Sequence, residues 1–139
     1  MAKTDTTAEL KKVPLFAGLD KHELEMIGRL LKEQRYAKGA VIVKNGATGQ
    51  GLFIIKEGSV SVKRDGRTVS QMGPGDFFGE IAVLDGGPRT ADVQADTDTV
   101  CLTMVSWDIK PLLMDNASIA YKMLQQIVRR LREARPQAD

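Results

Sequence analysis

Apolar positions along this chain change period twice. Near the amino terminus the period is helical. Leu24, Ile27, Leu30 and Leu31 recur on one face, Asp20 with Glu23 three residues later forms a capping box, and Leu19 can staple onto Leu24. This pattern predicts a helix over Lys21 to Lys32. An earlier pair, Thr6 and Glu9, opens a short helix that Pro14 closes, because proline cannot donate the next backbone hydrogen bond. From Glu33 the period falls to two. Val41 and Val43, the run Leu52 to Ile55, Val60 and Val62 against Ser59, Ser61 and Lys63, and Val69 to Met72 read as short strands. A further pair, Asp92 to Ala95 and Thr99 to Val105, flanks one irregular segment, Asp76 to Ala91. Turn clusters separate the strands at Lys44-Asn45-Gly46, Glu57-Gly58, Asp65-Gly66 and Gly73-Pro74-Gly75, of which Asp65-Gly66 is the best two-residue hairpin. Many short strands at this spacing imply a small barrel or jelly roll. After Ser106 the helical period returns. Pro111 fits only within about the first turn, which predicts a short helix from near Asp108 to Met114. A longer helix follows from Ala117 to Glu133, with apolar Ala120, Leu124, Ile127 and Leu131 on one face and Arg129, Arg130 and Arg132 left to solvent. That stripe is shorter than a coiled coil requires.

Composition narrows the function classes. The chain has 139 residues, 42% apolar and 27% charged, which is ordinary for a single globular domain. A domain of this size buries roughly 68% of its unfolded surface and needs no disulfide or metal staple. Cys101, the one cysteine, sits in the apolar run Val100 to Val105 and reads as a small buried hydrophobe in a reducing cytoplasm. No apolar run approaches the roughly 20 residues of a membrane span, and the start, MAKTDTTAEL, has no signal core, so a cytoplasmic protein is expected. Twenty basic against eighteen acidic residues give a net charge of +2, too small to imply a nucleic-acid or membrane partner. His22 is the only histidine, which argues against zinc, copper and haem sites and against a Ser-His-Asp or Cys-His catalytic pair. Its place among charges near a helix start reads as a solvated surface residue.

Chemistry concentrates between Gly75 and Ala91. Gly79 allows a ligand to approach the backbone closely. Ile81 to Leu84 can form one helical turn whose free N–H groups make an anion site. Arg89 adds a planar guanidinium suited to two phosphate oxygens. One arginine and a few amides suit a single negative charge. A nucleoside triphosphate would want a glycine-rich loop ending in Lys-Ser or Lys-Thr and a carboxylate for magnesium, and neither is present. Glu80 can accept from a ribose hydroxyl.

The stretch Phe78-Gly79-Glu80-Ile81-Ala82, with Arg89-Thr90-Ala91 beginning nine residues after the glutamate, closely resembles the phosphate-binding cassette of cyclic nucleotide-binding domains. Val13-Pro14-Leu15-Phe16 before a helix, the strand and turn from Leu52 to Gly58, and the two closing helices are also similar to that family, so about residues 10 to 133 are covered. The resemblance implies an α+β fold: an eight-stranded antiparallel β-roll, or jelly roll, flanked by N-terminal helices and two C-terminal helices, forming one domain over residues 1–139. It implies a non-enzymatic receptor that binds cyclic AMP, or alternatively cyclic GMP, needs no cofactor or metal, and signals through its C-terminal helix about a hinge near Asp115 and Asn116. By position, Arg89 would hold the cyclic phosphate and Glu80 the ribose 2′-hydroxyl. Gly79 and Ala82 would offer backbone N–H groups, with Ala91 closing the cassette. Thr90 would offer a hydroxyl to phosphate or base, and Val62, Met72 and Ile81 would line the purine pocket.

Other readings stay open at this level. Arg89 and Glu80 could pair with each other in a degenerate β-roll that binds another small anion or a protein, Thr90 could be a plain strand residue, and Val62 and Met72 could be barrel core. An effector protein and a weak homodimer through the C-terminal helix are the expected partners. Direct DNA binding is not expected, because only six residues follow Glu133. A barrel enzyme lacks an acid–base pair beyond Glu80 and Asp76.

Overall fold

The computed structural model describes residues 6–46, 51–79 and 91–134. It divides into two compact units, a β-roll from Leu31 to Lys110 and a helical unit made of the residues up to Leu30 and from Pro111 onward.

The roll contains eight strands among the described residues. They are β1 (Lys32–Tyr36), β2 (Val41–Val43), β3 (Gly51–Glu57), β4 (Val60–Arg64), β5 (Arg67–Met72), β6 (Phe77–Phe78), β7 (Asp92–Ala95) and β8 (Thr99–Val105). One sheet runs β1-β8-β3-β6 and the other β2-β7-β4-β5, with every pairing antiparallel. Side chains from both sheets interdigitate as one apolar cluster of Val43, Phe53, Ile55, Val60, Phe78, Val93 and Cys101. The run Leu-Phe-Ile-Ile in β3 is buried on both faces, which explains why it reads as continuous rather than alternating. The β4–β5 hairpin turns at Asp65-Gly66, both with positive φ, as a two-residue hairpin turn requires.

Two strands depart from the sequence expectation. Helix was predicted through Lys32, but it stops at Leu30 and β1 begins two residues later, paired with β8 from Lys32 opposite Thr103 to Tyr36 opposite Thr99. This strand, Lys-Glu-Gln-Arg-Tyr, is polar and largely exposed, so only its pairing partner reveals it. The second is β6, two phenylalanines inside the segment expected to be irregular, held by β3 through Phe53 opposite Phe78 and Ile54 opposite Phe77.

The helical unit contains α1 (Thr6–Lys11), a 3₁₀ turn (Pro14–Phe16) and α2 (Lys21–Leu30). A helix α3 (Ser106–Asp115) crosses from the roll's sequence into this unit, and α4 (Ala117–Ala134) follows. The capping box is formed: Glu23 N–H donates to Asp20 Oδ1 and Asp20 N–H to Glu23 Oε1, each at 2.9 Å. Leu19 and Leu24, the expected staple, are both buried, and His22 is exposed. Helix α3 starts two residues earlier than predicted, which leaves Pro111 inside it rather than in its first turn. Pro111 cannot donate to the carbonyl of Trp107, and its ring crowds that carbonyl, so the helix carries a local cost there. Burial of Ile109 and Leu112 holds the helix despite that loss. The face of α4 is also rotated from the predicted one. Ile119 and Met123 are buried, Ala120 and Ile127 are half-buried, and Tyr121, Leu124, Val128 and Leu131 are exposed.

Candidate functional site

The expected binding segment is anchored at both ends by the roll. Its first described residues, Phe77 and Phe78, belong to the sheet β1-β8-β3-β6, and its last, Ala91, leads into β7 of the other sheet. Residues 80–90 therefore connect the two sheets. The Phe78 ring stacks on Phe53 with centroids 5.0 Å apart and planes 3° from parallel, which fixes where the segment leaves the roll. Gly79 follows immediately with φ 91°, a left-handed conformation that a side chain would strain. At the far end Ala91 is buried.

The turn preceding β6 is tied down just as firmly. Asp76 Oδ2 accepts from Gly73 N–H at 2.9 Å, Gly75 N–H donates to the Ile55 carbonyl at 2.8 Å, and Ile55 N–H donates to the Asp76 carbonyl at 2.9 Å. This turn, expected from Gly73-Pro74-Gly75, thus docks on β3 next to the rings that aim the segment.

Val62 and Met72 lie on β4 and β5, half-buried against the cluster that contains Phe78 and Val93. Val62 pairs with Val93 across the sheet. The structure therefore packs Val62 and Met72 against one apolar interior, places Gly79 directly after β6 and buries Ala91 directly before β7, while Glu80, Ile81, Ala82, Arg89 and Thr90 lie outside the described residues. Sequence reading missed Phe53 and Phe78 as the platform of this interior. Two adjacent aromatics directly before Gly79 were the available signal.

Polar chemistry around the interior is structural. The Ser61 hydroxyl, buried on β4, is held by both carboxylate oxygens of Asp96 at 2.8 and 2.7 Å. Thr103 Oγ1 is buried on β8 with no hydrogen-bond partner. Burial pushes the Cys101 thiol up to about 11, so it stays protonated at neutral pH. No group of three His, Cys, Asp or Glu side chains among the described residues could hold a metal ion, and no described helix is long and apolar enough to cross a membrane.

Comparison with known proteins agrees with this architecture. Residues 33–116 match the cyclic nucleotide-binding domain family. The cyclic AMP receptor protein of Thermus thermophilus is 33% identical over 135 residues, covering 94% of this chain and 62% of the relative. A cyclic nucleotide-gated potassium channel of Mesorhizobium japonicum is 40% identical over 108 residues, covering 78% of this chain and 30% of the channel. The chain thus spans less than two thirds of either relative. The crystal structure of the N-terminal domain of a transcriptional regulator from Streptomyces coelicolor A3(2) superposes with a TM-score of 0.75 at 31% identity, covering 95% of this chain and 94% of that one. With its family-matched span, its eight-stranded roll and its tethered segment between the two sheets, the chain belongs to the cyclic nucleotide-binding domain family.

Proposed function

We propose that this chain is a non-enzymatic cytoplasmic receptor domain that binds cyclic AMP, with cyclic GMP as the alternative ligand, and passes a conformational signal through α4. One observation carries the reading. The sequence Gly79-Glu80-Ile81-Ala82 with Arg89-Thr90-Ala91 lies in the chain between β6 of one sheet and β7 of the other, and it begins at a left-handed Gly79 next to Phe78 of the apolar cluster. In this reading Arg89 pairs with the cyclic phosphate, Glu80 accepts from the ribose 2′-hydroxyl, and the amides of Gly79 and Ala82 donate to phosphate oxygens. Ile81, Val62 and Met72 contact the base, and the Thr90 hydroxyl reaches phosphate or base. One guanidinium suits the single negative charge of a cyclic phosphate better than the greater charge of a linear nucleotide. No cofactor or metal is required.

The partners proposed are the cyclic nucleotide, an effector protein or domain, and a second copy of the chain held weakly through α4. For the dimer, the exposed stripe Tyr121, Leu124, Val128 and Leu131 is the better candidate than the stripe read from sequence, since Ala120 and Ile127 are half-buried.

The test is equilibrium titration with cyclic AMP, cyclic GMP and the linear 5′-monophosphates. Tight binding of a cyclic nucleotide with weak binding of its linear counterpart is expected, and Arg89→Ala should weaken it by about 2–5 kcal/mol. Equal affinity for cyclic and linear forms, or an Arg89→Ala affinity within threefold of wild type, overturns the assignment.

A further inference from the structure

The helical unit contains one polar joint. Glu23 in the first turn of α2 is 7% exposed, and its carboxylate accepts from Lys122 Nζ of α4 at 2.8 Å and from the Asp20 N–H at 2.9 Å. Gly18 lies beside the Lys122 stem, whose Cβ would stand in ordinary van der Waals contact, 3.7 Å, with a methyl group placed there.

A partly buried ion pair is a poor source of stability compared with apolar packing, yet removal of the lysine leaves the Glu23 side chain, 10% exposed, without its counter-charge. Its distinctive effect is register and cooperativity. A greasy interface can slide, whereas one carboxylate oxygen held at once by Lys122 Nζ of α4 and by the Asp20 N–H that caps α2 accepts a single position. The residues before Leu30 and after Pro111 already form one compact unit, although some eighty residues separate them in sequence.

We propose that the Glu23–Lys122 pair is a latch that locks α4 to α2, so that the N-terminal and C-terminal helices move as one body and a displacement of α4 is delivered to the N-terminal helices. The signal would then leave the domain on the N-terminal side as well as the C-terminal side. The inference takes the displacement itself from the receptor reading, but the latch can be judged without it.

The experiment is amide hydrogen exchange on the full chain for wild type, Lys122→Met, Glu23→Gln and the double variant, with and without saturating cyclic AMP. Methionine keeps most of the apolar stem and removes the charge. Without nucleotide, wild-type α2 and α4 should open together, and Lys122→Met should cut protection in both by tenfold or more while strands 51–64 stay unchanged. The double variant should lose no more than the worse single one. Protection within twofold of wild type in either helix of Lys122→Met overturns the latch. With cyclic AMP, wild type should change exchange in both helices, and Lys122→Met should keep the change in α4 and lose it in α2. A change in α2 that survives in Lys122→Met also overturns the latch. Absence of any nucleotide effect in wild type overturns the receptor reading instead, and the nucleotide-free measurement still decides on the latch.

Discussion

At the residue scale, the charges and thiols of this protein are governed by burial and by how many donors compensate it. Burial alone would raise the Glu23 pKa, but the hydrogen bonds and charge of Lys122 and the Asp20 N–H outweigh it and hold the carboxyl at about 2 against an ordinary 4.5. A carboxylate with a lowered folded-state pKa contributes stability above its unfolded pKa, and that contribution is lost as pH falls through the folded value. Urea midpoints should therefore fall from about pH 5 downward toward pH 2, and Glu23→Gln should flatten this limb. An unchanged slope in the variant would assign the acid sensitivity to other carboxylates. Cys101 has no compensating donor, so native protein should resist thiol alkylation at neutral pH and react only on unfolding, as mass spectrometry can read directly. Gly58 sits at φ 94°, and a Cβ there would come within 2.6 Å of the Asp98 carbonyl and 2.7 Å of the Thr99 hydroxyl. Gly58→Ala should accordingly destabilise the roll by about 2 kcal/mol or more in chemical denaturation, because strain and overlap add.

At the scale of elements, local pattern and tertiary context compete, and α3 is the clearest case. Pro111 interrupts its hydrogen-bond ladder near the point where the two units meet in sequence, while Ile109 and Leu112 keep it helical through burial. Pro111→Ala restores the missing donor and should raise the stability of the chain by about 1–2 kcal/mol in thermal unfolding, less than the full proline penalty because proline also restricts the unfolded state. Helix α4 carries two apolar lines. Ile119 and Met123 are buried, so they set its position, and the exposed line through Leu124 and Val128 is the surface on which the proposed dimer is tested. Sedimentation should detect weak self-association that Leu124→Glu abolishes. A monomer at every concentration in wild type would remove the dimer from the proposal.

For the whole molecule, the expected response to cyclic nucleotide is localised by the architecture. The strands from β3 to β4 are fixed by pairing on both sides, β3 between β8 and β6 and β4 between β7 and β5. Residues 80–90 follow β6 of one sheet and precede β7 of the other in the chain. Exchange should change most in that segment and in residues 115–133, and little from Leu52 to Val62. A change confined to the segment would leave a receptor without a switch.

The sequence by itself determined the helices that begin with a capping box or carry a clear apolar face, the strands with β-branched alternation, and the Asp65-Gly66 turn. Each of these depends on interactions within a few residues, which neighbouring letters encode. The motif that carries family membership was legible for a similar reason, since phosphate chemistry requires particular residue types at fixed spacing. Only the tertiary structure decided the polar edge strand β1, the two-residue β6, the earlier start of α3 and the outward face of α4. β1 and β6 owe their hydrogen bonds to β8 and β3, which are distant in sequence, and α3 and α4 owe theirs to which side chains the folded chain buries. The latch between Glu23 and Lys122 belongs to the same class. Its carboxylate was readable as a helix cap, but the lysine that neutralises it lies 99 residues away, and only the fold brings the two charges together.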